Sequence, residues 1–337
     1  MNLRTIWRPD LYHGEGKRPP FFEGWYFKLV DAAGRKPFAV IPGIFIGHDP
    51  ESSHCFVQTL DGVTGRTAYY RYPAEAFVAD RRRLDIRVGP SRFQAGHINL
   101  NLESPEATAK GDLSLEGLTP WPVKFGSPGI MGPYTFAPFM ECYHGVVSLD
   151  HVIEGRLAID GDDIDFSGGR GYTEKDWGQA FPAAWVWMQS NHFEGAPGTC
   201  LTASVATIPW MGNSFQGFIA GLWHGGRLYR FATYTGASSE SLSVSDDRVT
   251  WRIAGRAARS GPGSDYRLEI AALRAQAGIL RSPERVAMMQ RVPESLTARI
   301  EVRLLSCGQV REREIFAGIG MHAGLEIVGQ LAGATGP

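Results

Sequence analysis

The feature that most constrains this chain is a period of two. From Trp185 onward, Trp185, Trp187, Gln189, Asn191 and Phe193 fall on one parity, and Val186, Met188, Ser190 and His192 on the other. Such alternation marks a β-strand, whose successive side chains point to opposite faces. One face then carries two indoles, two amides and a phenyl ring. Flat rings interleaved with amides suit a cavity wall that holds an apolar ligand and orients a polar end. The pattern equally fits an inward-facing sandwich strand whose amides satisfy neighbouring backbone.

The same alternation recurs along the chain. In FFEGWYFKLV (21–30), Phe21, Glu23, Trp25, Phe27 and Leu29 share one parity, and Phe22, Gly24, Tyr26 and Lys28 the other. A turn at 31–34 leads into PFAVIPGIFIG, a second strand interrupted by Pro42. Leu84, Ile86 and Val88 stand against Asp85 and Arg87, and Ile98, Leu100 and Leu102 against Asn99, Asn101 and Glu103. Apolar-in, polar-out strands indicate antiparallel sheet. Further strands are predicted at 199–208, 214–223, 227–235, 265–273 and 295–305, whereas 283–290 is the only short helix candidate. The Pro/Gly-rich piece 126–138 reads as a long loop, of the kind that forms lids or rims. Residues 1–20 read as an extended leader.

The expected fold is therefore all-β. A weak repeat, aromatic strand then Gly-containing turn then an apolar strand ending Ile-Pro, occurs in FEGWYFKLVDAAGRKPFAVIP and again in WVWMQSNHFEGAPGTCLTASVATIP. With 337 residues it predicts two similar units, 1–170 and 171–337, each the size of a small ligand-holding β-barrel.

Charged residues make up 20% of the chain and the net charge is −1, which argues against nucleic acid and against a polybasic membrane patch. Cys55, Cys142, Cys200 and Cys307 are far apart with no CxxC pair. They read as reduced cytoplasmic thiols, with two long-range disulfides as the alternative. The first twenty residues lack the apolar core of a secretion signal, and no run reaches the ~18 apolar residues of a membrane span. A cytoplasmic protein is expected, taking any apolar substrate from a carrier or through transient contact with a membrane surface. Oligomeric state is not encoded in any pattern here.

Three stretches carry a resemblance: FFEGWYFKLV (21–30), MGPYTFAPFMECYHGVVSLDH (131–151) and the block GYTEKDWG…FP..W.W.Q.NHF (171–193), with IFAGIGMHAGLEIVG (315–329) closing the chain. On these the chain resembles the tocopherol cyclase family and, more distantly, carotenoid hydratases and other two-domain lipocalin-like proteins. The resemblance implies two tandem lipocalin-like antiparallel β-barrels and closure of a prenylated hydroquinone to a chromanol.

Chroman closure needs a proton delivered to a trisubstituted alkene and capture of the tertiary cation by a phenolic oxygen. The acid must stay protonated in a dry pocket, which burial or a like-charged neighbour achieves. The cation needs negative density without a nucleophile, as indole faces provide. The ring hydroxyls must be held for attack. The reaction requires neither metal nor redox cofactor. Glu174 and Asp176 lie two apart and share the face of Tyr172 on a strand, with Lys175 pointing the other way, so they are the leading acid candidates. Alternatively, Glu174 pairs with a basic residue and Asp176 caps the turn before Trp177. Glu23, on the parity of Trp25, is either a buried acid or a polar residue at a barrel mouth. Trp185 and Trp187 are the expected walls, with Gln189 and Asn191 for the quinol head group; Trp25, Tyr26, Tyr172 and Trp177 complete the candidate substrate-binding set.

Other features carry less. Glu141 and His144 are on opposite parities, so a simple strand keeps them apart. His144 and His151 lack a third ligand at metal-binding spacing, so barrel histidines are expected. His192 reads as an outer-face residue. The run 168–171 is glycine-rich without the strand-and-helix context of a dinucleotide site, and there is no GxSxG elbow. Two other functions remain open: a hydratase, in which water captures the cation, and a non-catalytic carrier of a lipid, quinone or carotenoid.

Overall fold

The computed structural model describes residues 3–138, 140–210, 213–256, 265–307 and 312–331. The fold is all-β, with helix confined among these residues to Leu3–Ile6 and a few short 3-10 turns. The chain divides into two units, residues 1–181 with 278–292, and residues 182–277 with 293–337.

The first unit is built on β1 (Phe21–Val30), β2 (Pro37–Ile46), β3 (His54–Asp61), β4 (Thr67–Pro73), β5 (Phe77–Ala79) and β6 (Asp85–Val88). It continues through β7 (Ser91–Gln94), β8 (His97–Glu103), β9 (Thr108–Glu116), β10 (Cys142–Ile159), β11 (Asp162–Asp165) and β12 (Gly169–Gly178). These form one sheet in the order β4-β3-β2-β1-β12-β10-β9-β8-β7-β6-β5, with β11 against β10. Strand β12 thus lies between β1 and β10, antiparallel to both. That is why the division expected at residue 170 falls later: β12 is an interior strand of the first unit. β2 runs through Pro42 and pairs with β3 along its length, but its pairing with β1 skips Ile41 and Pro42, where proline has no N–H to give.

The second unit comprises β13 (Trp185–Ser190), β14 (His192–Phe193), β15 (Cys200–Trp210), β16 (Asn213–His224), β17 (Arg227–Ala232), β18 (Ser238–Val244), β19 (Arg248–Arg256) and β20 (Asp265–Leu273). Two more strands follow a short one: β21 (Gly278–Pro283), then β22 (Met288–Cys307) and β23 (Glu312–Val328). The sheet order is β17-β16-β15-β13-β23-β22-β20-β19-β18. The hairpin β21 and the start of β22 belong to the first unit. Gln58 clamps that hairpin by donating to the Arg281 carbonyl and accepting from the Arg281 amide, both at 2.8 Å. The helix expected over 283–290 is therefore a strand–turn–strand, because its backbone is committed to sheet pairing rather than to internal bonds.

Among the described residues neither sheet closes into a barrel. The end strands of each path, β4 and β5 in the first and β17 and β18 in the second, are not hydrogen-bonded to one another. The sheets nonetheless enclose packed cores. In the first unit Trp25, Phe27, Leu29, Val40, Phe93, Leu113 and Leu157 are buried together. In the second, Val186, Met188, Leu201, Val205, Phe231, Trp251 and Ile300 do the same. Buried apolar side chains occupy both interiors. All four cysteines are free thiols, and no described helix is long and apolar enough to cross a membrane.

Candidate active site

Strand β12 has two faces with different contents. Thr173, Lys175 and Trp177 point to the core side; Tyr172, Glu174 and Asp176 point to the other. Directly opposed residues of antiparallel strands share a face. The register Tyr26↔Glu174 and Gly24↔Asp176 on β1, with Val146↔Glu174 and His144↔Asp176 on β10, therefore assembles one surface.

On it the Tyr172 hydroxyl donates to Glu174 Oε2. His144 lies between the carboxylates, its Nδ1 2.9 Å from Asp176 Oδ1 and its Nε2 3.4 Å from Glu174 Oε2. Side-chain exposure rises along this row, from 6% at Glu174 through 15% at His144 to 26% at Asp176. The row runs from a dry carboxyl to a wet one. Beside it the sheet is bare: Gly24 opposes both Asp176 and Gly43. A Cβ on Gly43 would come within 2.5 Å of the Phe56 ring, whereas one on Gly24 would meet only the Pro42 carbonyl at 3.7 Å. Near this part of the sheet Phe22, Phe45, Phe56 and Met288 pack as an apolar cluster, with Tyr69 and Phe181 against it. A cavity of about 360 Å³ opens beyond Met288, but Arg71, Arg281, Asp49 and Glu51 line it, which suits ions better than hydrocarbon.

The core side of β12 holds a different device. Glu23 and Lys175, both fully buried, form an ion pair. Lys175 Nζ also donates to the Leu11 carbonyl at 2.6 Å, and the His13 amide donates to Glu23 Oε2 at 2.8 Å. His13 stacks on Trp177 with centroids 4.0 Å apart, and Lys175 sits 4.5 Å over the Trp25 ring. The leader is thereby tied to the end of the core. Burial opposes the Glu23 charge, but Lys175 and His13 together hold its pKa below the ordinary carboxylate value. Burial pulls Lys175 and His13 down from their ordinary values in turn.

These observations sort the candidates. Tyr172, Glu174, Asp176 and Tyr26 meet on one surface. Glu23, Trp25 and Trp177 lie on the opposite face, where Glu23 is paired with Lys175 and the two indoles pack the leader. Trp185, Trp187 and Gln189 belong to the second unit, on the face of β13 turned away from its core, since Val186 and Met188 occupy that core. The single face expected from Trp185 to Phe193 breaks at Asn191, which lies between β13 and β14. There the parity reverses, so Phe193 joins the core and Asn191 Oδ1 accepts from His192 Nδ1 at 3.0 Å.

His144, read from the sequence as a barrel histidine, instead lies with Glu174 and Asp176. Its partners come from another strand, so no local spacing announces them. His144, Glu174 and Asp176 are also the one group among the described residues able to offer three metal-ligating atoms, all within 4.8 Å of one another. His151, by contrast, is buried on the core side, with Nδ1 3.1 Å from Ser148 Oγ.

Residues 91–329 match the profile of the family described as tocopherol cyclase-like. The chain belongs to that family. It is 24% identical over 323 residues to a probable chloroplastic tocopherol cyclase of Oryza sativa subsp. japonica, covering 81% of this chain and 67% of the relative. It is also 24% identical to the chloroplastic tocopherol cyclase of Zea mays, covering 81% of this chain and 66% of that protein. The chain thus spans about two thirds of the length of these relatives. Among solved structures, CghA aligns with a TM-score of 0.55 at 14% identity, over 93% of this chain and 90% of that one. This likeness is one of fold.

Proposed function

We propose that this tocopherol cyclase-like protein closes the chromanol ring of a prenylated hydroquinone, with Glu174 as the proton donor. The carrying observation is a nearly buried carboxyl that accepts from a tyrosine hydroxyl and faces an imidazole, on the same sheet surface as the uncovered Gly24. With Oε2 accepting from Tyr172, Oε1 is assigned the transferable proton. Transfer to the alkene leaves a tertiary cation and a Glu174 carboxylate that Tyr172 stabilises. The faces of Tyr26 and Phe22 offer negative density to the cation without a nucleophile. The phenolic oxygen then captures it, and the phenol proton returns to Glu174. The reaction is an isomerisation with no net proton uptake, so His144 and Asp176 serve to orient the carboxyl. The row of rising exposure supports that role.

The substrate is small and hydrophobic in this reading, and transient contact with a membrane surface would supply it. The test is incubation with a prenylated hydroquinone under argon, followed by fluorescence and mass. A fluorescent chromanol of unchanged mass supports cyclisation, and Glu174→Gln should abolish it. A product heavier by one water would mark a hydratase, and unaltered bound ligand a carrier.

A further inference from the structure

The cavity of about 360 Å³ beyond Met288 takes no part in the proton transfer. All its lining residues belong to the first unit: the turn around Pro50–Ser52, β3, β4 and the hairpin of β21 with the start of β22. Its floor is fixed. His54, 6% exposed, donates from Nδ1 to the Ser52 carbonyl at 2.7 Å, because a carbonyl only accepts. Its Nε2 then accepts from the Tyr69 hydroxyl at 2.6 Å. An imidazole committed in this way is neutral, and burial, with Arg71 and Arg281 nearby, holds its pKa below the ordinary value.

Charge is carried at the mouth. The Arg281 backbone is clamped by Gln58, and its guanidinium lies 4.5 Å over the Tyr69 ring. Arg71 donates from Nη2 to the Glu51 carbonyl at 2.7 Å. Asp49 and Glu51 line the same cavity, with Asp49 Oδ1 accepting from the Glu51 amide at 3.0 Å. Yet among the described residues no carboxylate stands within 4.0 Å of either guanidinium. Two cations and two anions thus share one hollow without pairing across it. A simple anion would be drawn by one pair and repelled by the other, whereas a guest carrying both charges complements both. Beside the hollow the hairpin is apolar: Ala287 and Met288 line the cavity, and their neighbours Val286 and Met289 are 71% and 45% exposed.

We propose that this cavity binds a phosphoethanolamine group, its phosphate accepting from Arg71 and Arg281 and its ammonium donating to Asp49 and Glu51. The two guanidinium forks come from different strands, and a phosphate offers them oxygens on several sides. A primary ammonium is specified over a quaternary one, because only N–H groups donate to carboxylates. The group occurs in soluble phosphomonoesters and in lipid headgroups. The exposed apolar residues beside an ionic hollow favour the lipid, whose headgroup stands directly over hydrocarbon. The site is separate from Glu174 and does not rest on the cyclase reading.

The test is calorimetric titration of the whole protein with O-phosphoethanolamine, inorganic phosphate and ethanolamine, at low ionic strength where exposed charges are least screened. O-phosphoethanolamine should bind at least about tenfold more tightly than either fragment. Arg281→Gln leaves the backbone clamp in place and should weaken O-phosphoethanolamine and phosphate alike, by about tenfold. Glu51→Gln should weaken O-phosphoethanolamine and strengthen inorganic phosphate, opposite effects that a damaged fold does not produce. Binding should persist in Glu174→Gln. Cosedimentation with phosphatidylcholine vesicles, with and without phosphatidylethanolamine, identifies the source. Pelleting that needs phosphatidylethanolamine and is lost in Arg281→Gln marks a lipid headgroup; tight binding of the soluble compound without pelleting marks a phosphomonoester. Equal affinity for O-phosphoethanolamine and inorganic phosphate, or affinities unchanged in both variants, overturns the inference.

Discussion

Asp176 Oδ1 lies 2.9 Å from Nδ1 of His144, and the other ring nitrogen points toward Glu174. The histidine comes from β10 and both carboxylates from β12, so strand register alone positions the group. The bond from Nδ1 to Asp176 fixes the ring's orientation, and with it the direction in which Nε2 faces Glu174.

Replacing Asp176 by Asn keeps the shape and removes the charge that fixes the His144 tautomer. The expected outcome is a fall in kcat of about tenfold with KM little changed, since general acid catalysis as a whole contributes roughly 10²–10⁴-fold. Steady-state kinetics on the purified variant would show the split. A KM effect without a kcat effect would place Asp176 in binding instead.

Gly24 should govern substrate breadth. A Cβ there meets nothing closer than 3.7 Å, so Gly24→Ala should leave the melting temperature nearly unchanged. Gly24→Leu would cover the bare surface beside Glu174. It should raise KM for a prenylated hydroquinone severalfold more than Gly24→Ala does.

The clamp between Glu23 and Lys175 should be essential to stability. Changing Lys175 to Met strands a buried carboxylate, a loss of roughly 3–5 kcal/mol where one partner of such a pair is removed. The double variant Glu23→Gln with Lys175→Met should recover part of that loss. Urea denaturation midpoints of the three proteins measure the coupling directly.

Acid should destabilise the first unit through His151. Burial lowers its folded-state pKa to about 4 from an ordinary 6.5. As pH falls through that window the unfolded chain takes up a proton first, so stability is full above the unfolded value and declines below it. The complete shift corresponds to about 3 kcal/mol. His13, also held below its ordinary value by burial and by Lys175, acts in the same direction. His151→Gln should flatten the dependence of the melting temperature on pH between 6.5 and 4.

The period-two pattern made strands and faces legible in the sequence. It placed Tyr172, Glu174 and Asp176 together and turned Lys175 away, as the structure has them. It did not say which side of a strand meets the core. Trp25 and Trp187 occupy similar places in the weak repeat, yet Trp25 packs inside its sheet and Trp187 outside its own. Both faces of these strands are buried, so hydrophobicity does not distinguish them. Partners from distant strands were equally hidden. Glu294 and Glu326 are thirty-two residues apart in the chain, and only pairing reveals that they are neighbours. The reversal at Asn191 had no signature either, because Asn-His-Phe continues an alternating pattern in letters while the backbone breaks it.

Strand β12 belongs to both devices of the first unit, the acid on one side and the leader clamp on the other. A rigid ribbon with cargo on both surfaces behaves as a seesaw: whatever tilts one surface is felt by its reverse. Loosening the leader should therefore register as a change in how Glu174 meets its substrate, and selections for improved turnover should return substitutions around Leu11 and His13 that never approach the reacting carbon.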